Sequence, residues 1–163
     1  MRQKNAKRQH FIAPWTEDGT EPTEESWLRL AHWIETIEDD SDEDTDDQGF
    51  YDGDGNTESV LNGRTEKWNY SGSYDAADPA HVLLASMRRI TNDDGRKVWH
   101  KIIETNGDVI IGIAKVMEPK AGGGDATDYE TLEGHLDYIK TPTVTPKGTQ
   151  PDSQKLKVNK ETK

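Results

Sequence analysis

The chain has no cysteine among its 163 residues. That excludes a disulfide framework, a thiolate nucleophile and a Cys-based zinc site. Aliphatic material is scarce too: Leu, Ile, Val and Phe together make up about 17 % of the chain, below the roughly 20 % at which a highly charged sequence stops burying a full core. No run approaches the roughly 18 apolar residues of a membrane-spanning helix, and the basic N-terminus carries no apolar stretch of the kind a secretory signal needs. Five Trp and five Tyr partly offset the shortage, because one large aromatic buries more area than one aliphatic side chain. A single thin-cored domain, or one completed by association, is what this composition allows.

Charge is abundant and sorted by position. The whole chain has 20 basic and 32 acidic residues, a formal net of -12. Arg2, Lys4, Lys7 and Arg8 open it without an acid, and Lys147, Lys155, Lys157, Lys160 and Lys163 close it against only Asp152 and Glu161. Removing both ends leaves residues 9–146 with 11 bases, 30 acids and a net charge of −19. Two short basic ends therefore flank a strongly acidic body. Such a body repels nucleic acid, while end and body of two copies attract each other.

Three regions follow: a basic arm over 1–9, a folded body over 10–140 and a basic extension over 141–163. Within the body, His10–Trp15 reads as a short strand closed by Pro14. Trp27–Ile37 matches both helical and alternating patterns and is taken as a strand. Glu38, Asp39, Asp40, Asp42, Glu43, Asp44, Asp46 and Asp47 crowd into ten residues, a density that predicts a solvated loop over 38–48. A turn is expected at Asp52–Asn56, and a hairpin turn at Asn62-Gly63 between Thr57–Leu61 and Thr65–Tyr74.

Asp78 is a candidate N-cap with Pro79 at the first helical position, predicting a helix over 78–91. Ala80, Leu83, Met87 and Ile90 would form its apolar face, stopped at Asn92–Gly95. Arg96–Thr105 and Asp108–Met117 around Asn106-Gly107 form the clearest hairpin. Tyr129–Ile139 supplies a last strand. About seven strands and one helix predict a mainly β fold: an antiparallel β-sandwich or barrel with a flanking helix.

No constellation nominates an enzyme. The five histidines lack metal-ligand spacing, no serine sits in a nucleophile elbow, and Gly122-Gly123-Gly124 has no Lys-Ser/Thr after it. Asp52, Asp54 and Asn56 occupy the first, third and fifth positions of an EF-hand-like loop. Thr57 and Gly63 then stand where that loop needs its Gly and its bidentate Glu. A plain turn is the better reading, and no cofactor is called for. The residues alone still leave open a calcium-dependent binding or adhesion β-sandwich.

The stretch FYDGDGNTESVLNGRTEKWNYSGSYDAADPAHVLL resembles the major tail tube proteins of long-tailed, siphovirus-type bacteriophages of Gram-positive bacteria. IAPWTEDGTEP, WLRLAHWI, the acidic run before YDGDG, SGSYDAADPA and RKVWHKI carry the likeness, over roughly 10–140. The resemblance implies a structural virion protein rather than an enzyme: a sandwich with one flanking helix, forming hexameric rings that stack into a conduit for DNA. It implies partners such as tape measure and tail terminator proteins, assembly in the host cytoplasm, and DNA that passes without specific binding. Another phage part, a capsid decoration or head–tail connector protein, is the neighbouring alternative.

Arg2, Lys4, Lys7 and Arg8, acids Asp40, Asp44 and Asp47, and tail residues Lys155 and Lys157 are the expected contacts between copies. Leu83, Met87 and Ile90 are expected to pack the helix on the sheet.

Overall fold

The computed structural model describes residues 1–148. Ten strands and one α-helix follow in chain order: β1 (Gln9–Pro14), β2 (Leu28–Arg29), β3 (Ile34–Asp39), β4 (Asp42–Gly49), β5 (Thr57–Thr65), β6 (Lys67–Ser73), α1 (Pro79–Ser86), β7 (Lys97–Ile103), β8 (Val109–Ala121), β9 (Thr131–Tyr138) and β10 (Thr143–Thr145). Eight strands form one antiparallel sheet in the order β2-β1-β7-β8-β9-β6-β3, with β10 beside β8, while β4 and β5 pair as a separate ribbon. The fold is mainly β with one helix, a sheet curled into a half-barrel.

Alternation along the strands assigns the two faces. Ile12, Val98, Ile102, Ala114, Val116, Leu132, Leu136, Trp68 and Tyr70 point to one side and close over Ala80, Leu84 and Met87 of the helical segment. The opposite side is polar along β9 and β6 and more apolar along β1, β7 and β8, where Phe11, Trp99, Ile111 and Ile113 lie. There the Lys101 ammonium lies 4.6 Å from the Phe11 ring and 4.7 Å from the Trp27 ring, and Lys97 lies 4.5 Å from Trp15. These cation–π contacts hold the loop after β1 against the sheet.

The hairpin at Asn106-Gly107 forms as its sequence predicts, with Gly107 at φ 97 and its N–H donating to Glu104. Asp78 caps the helix, its carboxylate accepting from the N–H groups of Ala80 and His81. The helix is shorter than its apolar spacing suggests and ends at Ser86 rather than Thr91. Beyond it the N–H groups of Met87, Arg88 and Ile90 donate three residues back. The Arg96 guanidinium takes the carbonyls of Ile90 (2.7 Å) and Arg88 (3.4 Å). A side chain from the turn just before β7 thus satisfies carbonyls that further helical turns would otherwise use. Met87 is buried, Leu83 and Ile90 are partly buried against the core, and Leu84 carries the centre of the face.

Trp27–Ile37, read as one strand, is two. β2 ends after Leu30 donates its N–H to the His10 carbonyl, and the chain turns through Ala31–Trp33 before β3. Trp33 adopts φ 55 with 61 % of its surface exposed, an uncommon conformation for a bulky residue. Its carbonyl accepts from Ser73 and lies directly over Gly72. The chain also continues into the sheet past Thr141, because β10 pairs Thr143, Val144 and Thr145 with Ile111, Ile110 and Val109.

Candidate functional site

The acidic run is not the loop that its charge density predicts: Glu38 and Asp39 end β3, and from Asp42 on the run forms β4. β4 pairs with β5 over Asp42↔Thr65 to Gly49↔Thr57. Two like charges 4 Å apart in water repel by only about 1 kcal/mol, and every residue of β4 is exposed. The partner strand supplies hydrogen-bond donors: Ser59 gives its hydroxyl to Asp47 at 2.7 Å, and Asn62 gives its amide to Asp46 at 3.0 Å. Arg64 lies 3.9 Å from Glu43 and 3.3 Å from Glu66.

Asn62-Gly63 is not the turn either. It falls inside β5, where the register shifts between Asp44 and Thr45 and an extra residue bulges out. The ribbon reverses at Tyr51–Asn56, with Asp54 at φ 55 and Gly55 at φ 74. Asp52, Asp54 and Asn56 are exposed turn residues. Among the described residues no group of three or more His, Asp or Glu is placed to hold a metal ion. Phe50 and Tyr51, the latter fully exposed, sit at the tip. Sequence reasoning passed over them; their signal was an aromatic pair directly before a glycine-rich turn.

Arg2, Lys4 and Lys7 are exposed at the other end of the chain, around a short 3-10 turn at Asn5–Lys7. Arg8 is engaged, 2.7 Å from Glu104. Asp40 is engaged as well: Asn69 and Lys67 donate to it, and with the Lys67 charge they hold its carboxyl below the usual range. Asp44 faces Gly63, and Asp47 takes the Ser59 hydroxyl. No hydrogen bond or ion pair among the described residues joins the arm to the ribbon within one copy. Lys155 and Lys157 lie outside the described residues.

The polar face of the sheet carries an open cleft of about 350 Å³ lined by Lys67, Asn69, Glu118, Lys120, Glu133 and His135. Its lysines are paired, Lys67 with Asp40 and Lys120 with Glu133, and the His135 ring nitrogens lie within hydrogen-bond reach of Asp137 and Glu118. The ribbon, residues 42–65, carries eight acids against the single base Arg64.

A third feature is buried. His10 on β1 and His100 on β7 place Nδ1 and Nε2 3.2 Å apart, and the Tyr138 hydroxyl lies 2.6 Å from His100 Nδ1. Tyr138 reaches His100 by crossing Gly112, where a Cβ would meet its ring at 3.0 Å. Burial, and then the charge of Arg8, pull His10 down to about 4. Burial, and then His10, hold His100 well below its usual value. Burial raises Tyr138, with Glu66 adding to it.

No protein-family model and no curated protein sequence matches the chain. Its fold does match solved structures. A chain from the tail of an empty GTA particle, treated with helical refinement and C6 symmetry, superposes with TM-score 0.66 at 11% identity, covering 88% of this chain and 99% of that one. A chain from the virion of a native gene transfer agent gives 0.61 at 13% identity, with coverage of 88% and 99%. A chain from the sixfold-symmetrised baseplate of an anti-feeding prophage gives 0.52 at 8% identity, covering 87% and 94%. The class is thereby defined at the level of fold: the chain has the architecture of subunits from phage-like tails. No helix of the described residues is long and apolar enough to cross a membrane.

Proposed function

We propose that this chain is a tail tube subunit whose copies close into sixfold rings and stack into the conduit for DNA of a long-tailed phage. The observation that carries the reading is the match over nearly the full length of a chain from a C6 tail. Features of the subunit support it independently. β2 and β3 close the two ends of the sheet with their outer edges unpaired among the described residues, a hazard for a monomer that pairing between copies removes. A head-to-tail interface generates a ring when its rotation closes and a filament when it does not. Among the described residues the ribbon pairs only with itself, and an isolated two-stranded ribbon is marginal in water without a partner surface.

In this reading the arm cations Arg2, Lys4 and Lys7 reach the acids of a neighbouring copy's ribbon, Asp44 and Asp47 foremost, with Lys155 and Lys157 adding to the contact. Duplex DNA carries one charge per ~1.7 Å, so a conduit must avoid a strongly basic lining. The ion-paired sheet face and the acidic body meet that need. Tape measure and tail terminator proteins are the expected partners, the virion tail the place of function and the host cytoplasm the place of assembly.

Negative-stain microscopy of concentrated purified protein tests the assignment. Annuli or rods are expected; particles that remain single at every concentration overturn it. Deleting residues 2–8 is expected to shorten or abolish the rods while the circular dichroism spectrum stays unchanged. Among the described residues Arg8 is the only deleted one with an ion pair to the body, its side chain and that of Glu104 25% and 22% exposed, and the loss of one such pair, on the order of 1 kcal/mol, leaves the domain folded. Rods of wild-type length after the deletion would remove the arm from the contact.

A further inference from the structure

We propose that the buried chain His10–His100–Tyr138 is an acid-operated latch that holds the first strand of the sheet in place and releases it on proton uptake. With both rings neutral every link has one donor and one acceptor. The Tyr138 O–H donates to His100 Nδ1, and the His100 Nε2–H donates to His10 Nδ1, over the 2.6 and 3.2 Å separations. A proton on His10 forces the chain to run backwards. His100 Nε2 must then accept, its Nδ1–H must donate to the phenol oxygen, and the phenol hydrogen loses its acceptor. A second proton sets N–H against N–H between two cations inside the core, which no rearrangement of tautomers satisfies.

Among the described residues no carboxylate offsets that charge. Arg8, just before the strand, repels it and is itself tied to Glu104 after β7. From β6 the Trp68 ring faces both imidazoles, at 5.2 and 6.5 Å between centroids. Glu66, beside Tyr138, is occupied by the Trp68 indole N–H at 3.1 Å and by Arg64 at 3.3 Å. His10 keeps 5 % of its surface open and is the member through which a proton enters, whereas His100 has none.

The strand is weakly held where the latch sits. β2 pairs with Phe11 and Ile12, so among the described residues the start of β1 has on that side just the Leu30 N–H on the His10 carbonyl, at 2.9 Å. Expelling His10 therefore peels Gln9–Ile12 from Ile103–His100 while β7, β8 and β9 stay paired. Residues 1–8 lead straight into this strand. On the tube reading above, on which this last step rests, release of β1 frees the arm and takes the rods apart in mild acid.

Amide hydrogen exchange on the full-length protein, corrected for intrinsic rates, tests the latch at about pH 7 and about pH 4.5. Protection over Gln9–Ile12 is expected to fall about tenfold or more in acid, with β8 and β9 unchanged. Unaltered protection overturns the proposal, and so does equal loss in every strand. A His10→Leu, His100→Leu, Tyr138→Phe variant, which replaces all polar partners together, is expected to keep β1 protected in acid; a loss equal to wild type overturns it as well. Microscopy across the same pH range separates the two readings. Acid release of β1 in a protein that never forms rods retains the latch and removes the tube.

Discussion

Replacing Gly72 with alanine is expected to lower the melting temperature by about 10 °C, the largest loss from any single methyl group in this fold. A Cβ at that position would lie 2.1 Å from the Trp33 carbonyl oxygen and 2.7 Å from Ile34 Cα. Both are backbone atoms, so no rotamer change can make room. The Trp33 carbonyl is fixed by the Ser73 N–H at 2.9 Å, and Trp33 itself is held at φ 55. Gly72 is also the register partner of Ile34, next to the irregularity between Ile34 and Thr36. Relief therefore requires β3 to move off the end of the sheet. Overpacking of a tight site costs about 1–3 kcal/mol, and against backbone the upper end applies; about 2–4 °C follows per kcal/mol in a chain of this length. Calorimetry checks it, with Gly53→Ala as control, since nothing lies within 4 Å of a Cβ there. Equal melting of the two variants would refute the account of the Ala31–Trp33 turn.

That turn also marks where sequence reading stops. Asp78-Pro79 and Asn106-Gly107 were legible because each satisfies a local backbone requirement with its own side chain or with a positive φ. The mainly β character and the flanking helix followed from them and from alternation along β6, β7 and β8. Ala31–Trp33 contains neither Gly nor Pro; what makes it turn is Gly72, about forty positions away, which no local pattern reveals. The helix end was misplaced for the same kind of reason, because Arg96 accepts the work of a cap from beyond Gly95.

The acidic run erred in the other direction. Its local signal was strong, yet repulsion in water is weaker than the ladder and the Ser59 and Asn62 donors that β5 brings to it. Asn62-Gly63 looked like a turn and serves as a bulge, the second common use of the pair's conformational freedom. The charge sorting is a property of the sequence itself, to which the structure adds that Arg8 and Asp40 are engaged within one copy; the His10–His100–Tyr138 chain was not legible at all. Its members sit on three strands, and only the register of the sheet brings them together.

Excising the ribbon is the change expected to separate folding from assembly most sharply. Asp42 and Thr65 are register partners, so Ser41 can be joined to Glu66 through a two-residue Asn-Gly turn without moving either end. All of β4 is exposed, and only Val60 in β5 is even partly covered, so the excision removes almost no buried apolar area. The melting temperature is therefore expected to stay within about 2 °C of wild type. Rods and annuli are expected to vanish, because the acids proposed to meet the arms of neighbouring copies, and the tip aromatics Phe50 and Tyr51, leave with it.

A charge-reversed Asp44→Lys, Asp47→Lys protein keeps the ribbon and isolates the electrostatic part. It is expected to assemble poorly at low ionic strength, where the wild type assembles best. About 1 M salt, with a screening length near 3 Å, should bring the two together. Sedimentation across a salt series reads both effects. If the excised protein sediments as rods like the wild type, the ribbon contributes nothing between copies. Its acids would then need a different explanation, such as keeping the free subunit soluble before it is built in.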